Sequence, residues 1–330
     1  MGYNREIYRM VKNSYNGKNV SAKEAAERRA QELRERFPDI RQIDDALTET
    51  GLKIFEVSSL DEEKRKEALE NLKRDNESLL LARAECLKYH GYPADYSDVK
   101  YECPDCHDTG YIGISMCHCM RDKIIEESFK ASGIGRLIKK QNFDSFDPDM
   151  QKDDSTAYEN TKMVYEFCKS YAENFGTEKN GDIMNLLFIG ATGLGKTHLS
   201  TSIAKRVIEK GYDVVYETAQ NIFSDFEYER FGRGYVSYDI EPSRTDKYFK
   251  CDLLIIDDLG TEMTNQFTIS CLYNIINTRI NHEKATIINT NYSREELSKR
   301  YSSDRVISRL FGEFYVMPFI GSDVREKKIN

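Results

Sequence analysis

The sequence predicts an α/β chain: a C-terminal domain built on a parallel sheet with flanking helices, preceded by a helical N-terminal region and a small zinc-binding module. Three observations carry this. Short apolar, β-branched runs alternate with helical segments between residues 186 and 291, the pattern of buried parallel strands joined by crossover helices. A glycine-rich phosphate-binding signature lies between the first run and the helix after it. Four cysteines crowd into positions 103–119. The expected division is 1–100 helical, 101–122 metal-binding, 123–180 helical linker and 181–330 the α/β domain.

The first region is dense in Ala, Glu, Arg and Leu. From Ser21 the run SAKEAAERRAQELRERF places Ala25, Ala26, Ala30, Leu33 and Phe37 at helical spacing. Ser21 with Glu24 three residues on predicts a capping box, and Pro38 predicts the stop. A second helix is expected from about Leu60 to Lys88, with Leu69, Leu72, Leu79, Leu80 and Leu87 on an apolar stripe. Two readings fit: a small bundle with a solvated charged face, or an adaptor with a spare apolar face for another protein.

In the second region Cys103-Pro-Asp-Cys106 is followed by Cys117-His-Cys119. Such a compact set of thiolates suits tetrahedral Zn²⁺, with Asp108 to Tyr111 as the turn of a small ribbon. His107 and His118 are spare donors, either of which can replace a cysteine. Free thiols and a redox pair are the alternatives. Cys86, Cys168, Cys251 and Cys271 are scattered and read as packed or incidental.

The α/β domain carries the strongest signal. Its runs are Leu186–Gly190, Asp213–Thr218, Asp252–Asp257 and Thr286–Asn291. After the first comes Gly190-Ala191-Thr192-Gly193-Leu194-Gly195-Lys196-Thr197-His198, matching G-x-x-x-x-G-K-[ST] at a helix start. Glycines let backbone N–H groups converge on phosphate oxygens, and the helix N-terminus adds partial positive charge. Lys196 reaches the β/γ-phosphates and the Thr197 hydroxyl ligates Mg²⁺, so ATP with Mg²⁺ is the expected ligand. Asp257, at the end of an apolar strand, is placed to hold Mg²⁺. Asp258 follows as the group that orients or deprotonates the attacking water. Many ATPases of this architecture have Glu there, so the shorter Asp predicts weak turnover. Thr290 and Asn291 put polar side chains where a γ-phosphate or water is sensed. Arg305 and Arg309 lie four apart on one helical face, which by spacing alone describes two surface arginines. The aromatic run Phe223, Phe226, Tyr228 and Phe231 predicts a helix packed on the sheet in preference to a DNA-stacking face.

Composition bounds the rest. Hydrophobic residues make up 39% and charged residues 32%, as in a soluble globular protein. The net charge of −8, from 48 basic and 56 acidic residues, gives no overall field toward nucleic acid, so DNA contact requires a local patch. No apolar run approaches the roughly 20 residues that span a bilayer, and MGYNREIYRM resembles no secretory signal. The expectation is a cytoplasmic protein with no membrane partner.

Together these motifs resemble the DnaC/DnaI group of AAA+ replicative helicase loaders, with the IstB-type transposition ATPases as close relatives. The resemblance rests on GATGLGKTHL, DLLIIDDLG, the strand end NTN, the box RVISR and the terminal SDVR, and covers roughly 142–325. A zinc-binding region before the ATPase is more similar to DnaI than to DnaC, and argues against IstB. The resemblance implies that Asn291 is the first sensor, Arg309 the arginine finger acting on a neighbouring subunit (with Arg305 the alternative), and Arg325 the second sensor. It places the start of the adenine pocket at Asn142–Phe146 and a single-stranded-DNA loop at Thr264–Phe267, where Gln266 stands at a position basic in some members. It implies ATP-dependent loading of a DnaB-type helicase hexamer onto single-stranded DNA, with self-association through ATP-bridged interfaces. An IstB-like transposition helper and a non-hydrolysing ATP-sensing adaptor are the alternatives.

Overall fold

The computed structural model describes residues 3–57, 61–135, 137, 140–178, 185–231 and 243–324. The chain divides into two compact units, Met1–Val11 with Arg121–Asn330, and Lys12–Met120. No helix among the described residues is long and apolar enough to cross a membrane.

The Lys12–Met120 unit is mostly helical. Helix α1 (Arg5–Tyr15) leads into it, followed by α2 (Lys18–Arg36), α3 (Pro38–Val57) and α4 (Glu62–Tyr89). The predicted cap at Ser21 is not used. Gly17, left-handed at φ 79°, caps α2 four residues earlier, and the Ser21 amide already donates to its carbonyl at 2.8 Å. Pro38 both ends α2, through an extended Phe37, and opens α3. Helix α3 falls in the region expected to be helical but was not delimited there, because Gly51 and the back-bonded Thr48 and Thr50 are weak helix formers. It is held by tertiary contacts. Asp44, 5% exposed, joins Arg34 of α2 at 3.0 Å and Arg83 of α4 at 2.6 Å. Leu33, Ile40 and Leu87 form a small apolar core. The expected stripe on α4 is only partly used: Leu87 is fully buried, whereas Leu69 and Leu80 are exposed.

In the second unit five strands form one parallel sheet. They are β3 (Leu186–Ile189), β4 (Val214–Thr218), β5 (Leu253–Leu259), β6 (Ala285–Thr290) and β7 (Tyr315–Pro318), in the order β4-β5-β6-β3-β7. All six residues of β6 are buried, as a two-sided parallel strand requires. Helices α6 (Ser155–Asn174) and α7 (Lys196–Glu209) pack on one face through Val164, Cys168, Leu199 and Ile203. Helices α8 (Ala219–Phe231) and α10 (Gln266–Asn281) pack on the other through Phe223, Leu272 and Ile276. The aromatic run is therefore split: Phe223 is core, while Tyr228 and Phe231 are exposed. The fully buried Arg279 of α10 donates to the carbonyls of Tyr248 and Ala285, holding the N-terminal ends of the strands together.

A parallel sheet brings the C-terminal ends of its strands to one edge. There Ile189, Asp257 and Thr290 end their ladders side by side. Between Ile256 and Leu259 the register to β6 slips, with three steps on β5 against two from Ile288 to Thr290. This bulge re-aims the side chains at its tip, and Asp258 takes φ 53° there.

Candidate functional site

The loop after β3 is shaped by glycines. Gly193 and Gly195 have φ of 75° and 93°, values that suit glycine alone. A side chain on Gly195 would strike the Phe146 ring at 2.8 Å. The loop opens on a cavity of about 400 Å³ lined by Thr192 through His198, Asp258 and Asn291. Lys196, 6% exposed, points back into the loop and donates to the carbonyls of Gly190 and Ala191 at 2.7 Å each. The first turn of α7 presents its N–H groups to the same space, which makes it an anion site by construction.

Beside the lysine, the Thr197 hydroxyl lies 3.2 Å from Asp257 Oδ2. Asp257 is 5% exposed and also accepts from Asn289 Nδ2 at 2.7 Å and from the Tyr216 hydroxyl. A hydroxyl and a carboxylate at that separation, beside the cavity, fit the hard oxygen donors of Mg²⁺. Burial, and after it the Asp257 charge, raise the Tyr216 phenol above its ordinary range, so Tyr216 stays protonated and donates to Asp257.

Sequence reasoning missed Asn289 and Tyr216. Asn289 carried a signal, since an amide in an otherwise apolar buried strand needs partners; it finds Asp257 and the Ser200 hydroxyl. Replacing Asn289 by leucine is expected to lower magnesium-dependent turnover by about 10–100-fold, the usual effect of losing such a supporting bond. Nucleotide binding without magnesium should be retained. Steady-state ATP hydrolysis against Mg²⁺ concentration measures this, and unchanged turnover counts against the role of Asn289.

The strand end divides its two predicted polar residues. Asn291 lines the cavity. Thr290 is fully buried and donates to the Leu259 carbonyl at 2.7 Å, so it braces the strand and senses nothing. The Asn142–Phe146 segment meets α7, with the Asn142 carbonyl 2.9 Å from His198 Nε2 and the Phe146 ring edge-on to His198. The tail also reaches this site. Gln151, 4% exposed, clamps Ser322 by donating to its carbonyl and accepting from its amide, and Val324 N donates to Gly193 O at 3.2 Å. Nothing in the sequence marks Gln151.

Arg309 lies on α12 (Asp304–Gly312) and pairs with Glu313 at 2.9 Å, outside the residues lining this chain's cavity. Arg305 is exposed. Arg325 lies outside the described residues. In the loop before α10, Asn265 is spent as the helix cap, accepting from the amides of Phe267 and Thr268. Phe267 instead meets Phe231 at 5.7 Å, and the Arg230 guanidinium lies 5.2 Å from one ring and 5.3 Å from the other. A second cavity, about 450 Å³, opens at the opposite edge of the sheet near Asp252 and Ala285 and contains no predicted site residue.

The four cysteines converge. All four sulfurs lie within 4.8 Å of one another, with Cys103–Cys117 at 3.8 Å and Cys106–Cys119 at 3.5 Å. A tetrahedron of Zn–S bonds has edges of about 3.8 Å, so the donor set fits zinc. The turn is built for it. His107 and Asp108 are left-handed, the buried Asp108 carboxylate accepts from the amides of Glu102 and Cys103, and the Gly110 amide donates to Cys106 Sγ at 3.3 Å. The His107 ring lies against Tyr101, away from the sulfurs. His118 Nδ1 stands 3.6 Å from Cys117 Sγ, beside the four. Burial pushes the Cys119 thiol up to about 12, while the Tyr15 hydroxyl bonded to it pulls the other way. Four such sulfurs share this space as thiolates only around a cation.

Comparison with known proteins finds the following similarities. The model of the IstB-like ATP binding protein family matches residues 175–318. The "Chromosomal replication initiator protein DnaA" of Aliarcobacter butzleri (strain RM4018) is 39% identical over 93 residues, 27% of this chain and 20% of that protein. The chain thus spans about a fifth of the length of the first DnaA relatives it matches. The "Replicative helicase loader DnaC" of Escherichia coli (strain K12) is 24% identical over 186 residues, covering 56% of this chain and 69% of that one. A solved structure titled "Crystal Structure of the DnaI" superposes with a TM-score of 0.44 at 18% identity, covering 58% of this chain and 93% of that one. The phosphate loop, the paired carboxylates and all five strands of the sheet lie within the stretch, residues 175–318, that is similar to IstB-like ATP binding proteins.

Proposed function

We propose that this chain is an ATP-dependent loader that places a replicative helicase hexamer on single-stranded DNA. The observation that carries the reading is the single cavity lined by the phosphate loop, Asp258 and Asn291. The similarity to a protein named as a replicative helicase loader gives the direction.

In this reading Lys196 leaves its two carbonyls to hold the β/γ-phosphates, while the α7 amides bind the remaining oxygens. Thr197 and Asp257 hold Mg²⁺, which neutralises charge between the phosphates when bound. Asn289 and Tyr216 fix the Asp257 carboxylate. Asp258, on the bulge, and Asn291 orient the attacking water. Arg309 completes the pocket of a neighbouring copy, and Arg325 serves as the second sensor. The helical and cysteine-bearing Lys12–Met120 unit grips the helicase, with zinc holding its ribbon. Phe267, Phe231 and Arg230 form a stacking patch for bases, so an acidic chain binds DNA locally by stacking.

The test is a fork-unwinding assay with a hexameric replicative helicase on strands covered by single-stranded-DNA-binding protein. The chain with ATP should raise unwinding, and Lys196→Ala should not. Failure to associate with the helicase, with or without ATP, overturns the partner. Phe267→Ala is expected to weaken single-strand binding by about 1–3 kcal/mol, read by fluorescence anisotropy. The match to the IstB-like family favours one second reading, a transposition helper acting on duplex DNA. Stronger binding to duplex than to single strands in the same assay would support it.

A further inference from the structure

The Lys12–Met120 unit contains a second convergence of metal-binding side chains, sharing no residue with the four cysteines. Asp39 stands in the first turn of α3, and Cys86 and His90 stand at the C-terminal end of α4. Their donor atoms lie within 4.8 Å of one another. Cys86 Sγ is 3.1 Å and His90 Nε2 is 2.8 Å from the same oxygen, Asp39 Oδ2. We propose that Asp39, Cys86 and His90 form a second divalent metal site of the zinc class, with one oxygen, one sulfur and one nitrogen ligand and a fourth position open to solvent.

Several features support a site over a chance cluster. Cys86 and His90 are four apart on one helix, which sets them on the same face one turn apart. The His90 ring stacks on Phe37 with centroids 4.0 Å apart, and this fixes Nε2 toward Asp39. Asp39 Oδ1 accepts from the Ile40 amide at 2.9 Å, which leaves Oδ2 as the shared atom. Oxygen, sulfur and imidazole donors together match borderline zinc in preference to Mg²⁺ or Ca²⁺.

The distances also say what binding changes. Around tetrahedral zinc, with bonds of about 2.0–2.3 Å, such atoms sit about 3.3–3.5 Å apart. The observed triad is tighter by a few tenths of an ångström, and a small rotation of the half-exposed Asp39 opens it. The sulfur binds as thiolate, its proton passing to solvent. The ion would tie the start of α3 to the end of α4 at the rim of a core that, among the described residues, has three fully buried apolar side chains, Leu33, Ile40 and Leu87. A core that small gains much from a cross-link.

The test counts metal in the full chain. Zinc is added in excess, loose ion is removed by gel filtration, and bound zinc is measured with a chromogenic chelator. Two zinc ions per wild-type chain are expected, and one in Cys86→Ser, Asp39→Asn and His90→Ala. Co²⁺ added to wild-type chain loaded with a single equivalent of zinc should give a sulfur-to-cobalt charge-transfer band that Cys86→Ser treated in the same way lacks. Asp39→Asn keeps the size of the side chain, so its folded state controls for damage by the other two. One zinc in the wild type with no cobalt band, or two zinc ions in folded Cys86→Ser, overturns the site.

Discussion

Lys196→Ala is expected to lower ATP turnover by at least about 10²-fold, the scale seen when one preorganised charge-stabilising donor is removed from an active site. The ammonium group is almost fully buried and bonded to two loop carbonyls. A triphosphate entering the cavity takes those bonds over, so the lysine changes partners without being newly desolvated. Alanine removes the cation and leaves both carbonyls unpaired beside an anion. Arginine should not rescue, because a planar guanidinium does not fit a space built for one compact ammonium. Turnover and nucleotide affinity measure the loss. A melting temperature within a few degrees of the wild type separates it from misfolding, since the core around Leu199 and Ile203 is untouched.

The second large effect is expected in the cysteine ribbon. Its strands β1 (Tyr111–Ile112) and β2 (Ser115–Met116) have two residues each, too short to hold a fold unaided. Zinc binding in small modules is worth about 10–16 kcal/mol, far more than this hairpin can supply. Cys106→Ser, or a strong chelator, should therefore unfold residues 101–119, opening them to protease. It should leave nucleotide binding in the other unit intact. Cys106 is the sharpest choice because it also accepts the Gly110 amide. Unchanged protease resistance in metal-free protein would mean that the ribbon holds itself together. His118→Ala should have a small effect, since its ring stands beside the four sulfurs.

The strands were legible because parallel strands buried on both faces read as unbroken apolar runs, and β6 is the extreme case. The phosphate loop was legible because its chemistry is local: eight consecutive residues carry both the turn and the ligands. The supports were not. Tyr216 and Asn289 act across 41 and 32 positions of sequence on one carboxylate, and only the sheet order brings them together. Gln151 clamps Ser322 from 171 positions away. Thr290 showed the converse failure, a polar side chain at a functional edge that serves the backbone, donating to the Leu259 carbonyl and accepting from the Tyr292 amide. In the helical unit, α3 escaped because its stability lies in the Asp44 bridges and not in propensity. Cys86 looked incidental because its partner Asp39 comes from another helix.

Calorimetric titration of the intact chain with ATP and Mg²⁺ tests the central claim most directly. The account predicts one saturable site per chain, weakened at least about 10²-fold by Lys196→Ala and tightened by Mg²⁺ through Thr197 and Asp257. No heat from folded wild-type protein at saturating ATP–magnesium, or an identical isotherm for the variant, would contradict it.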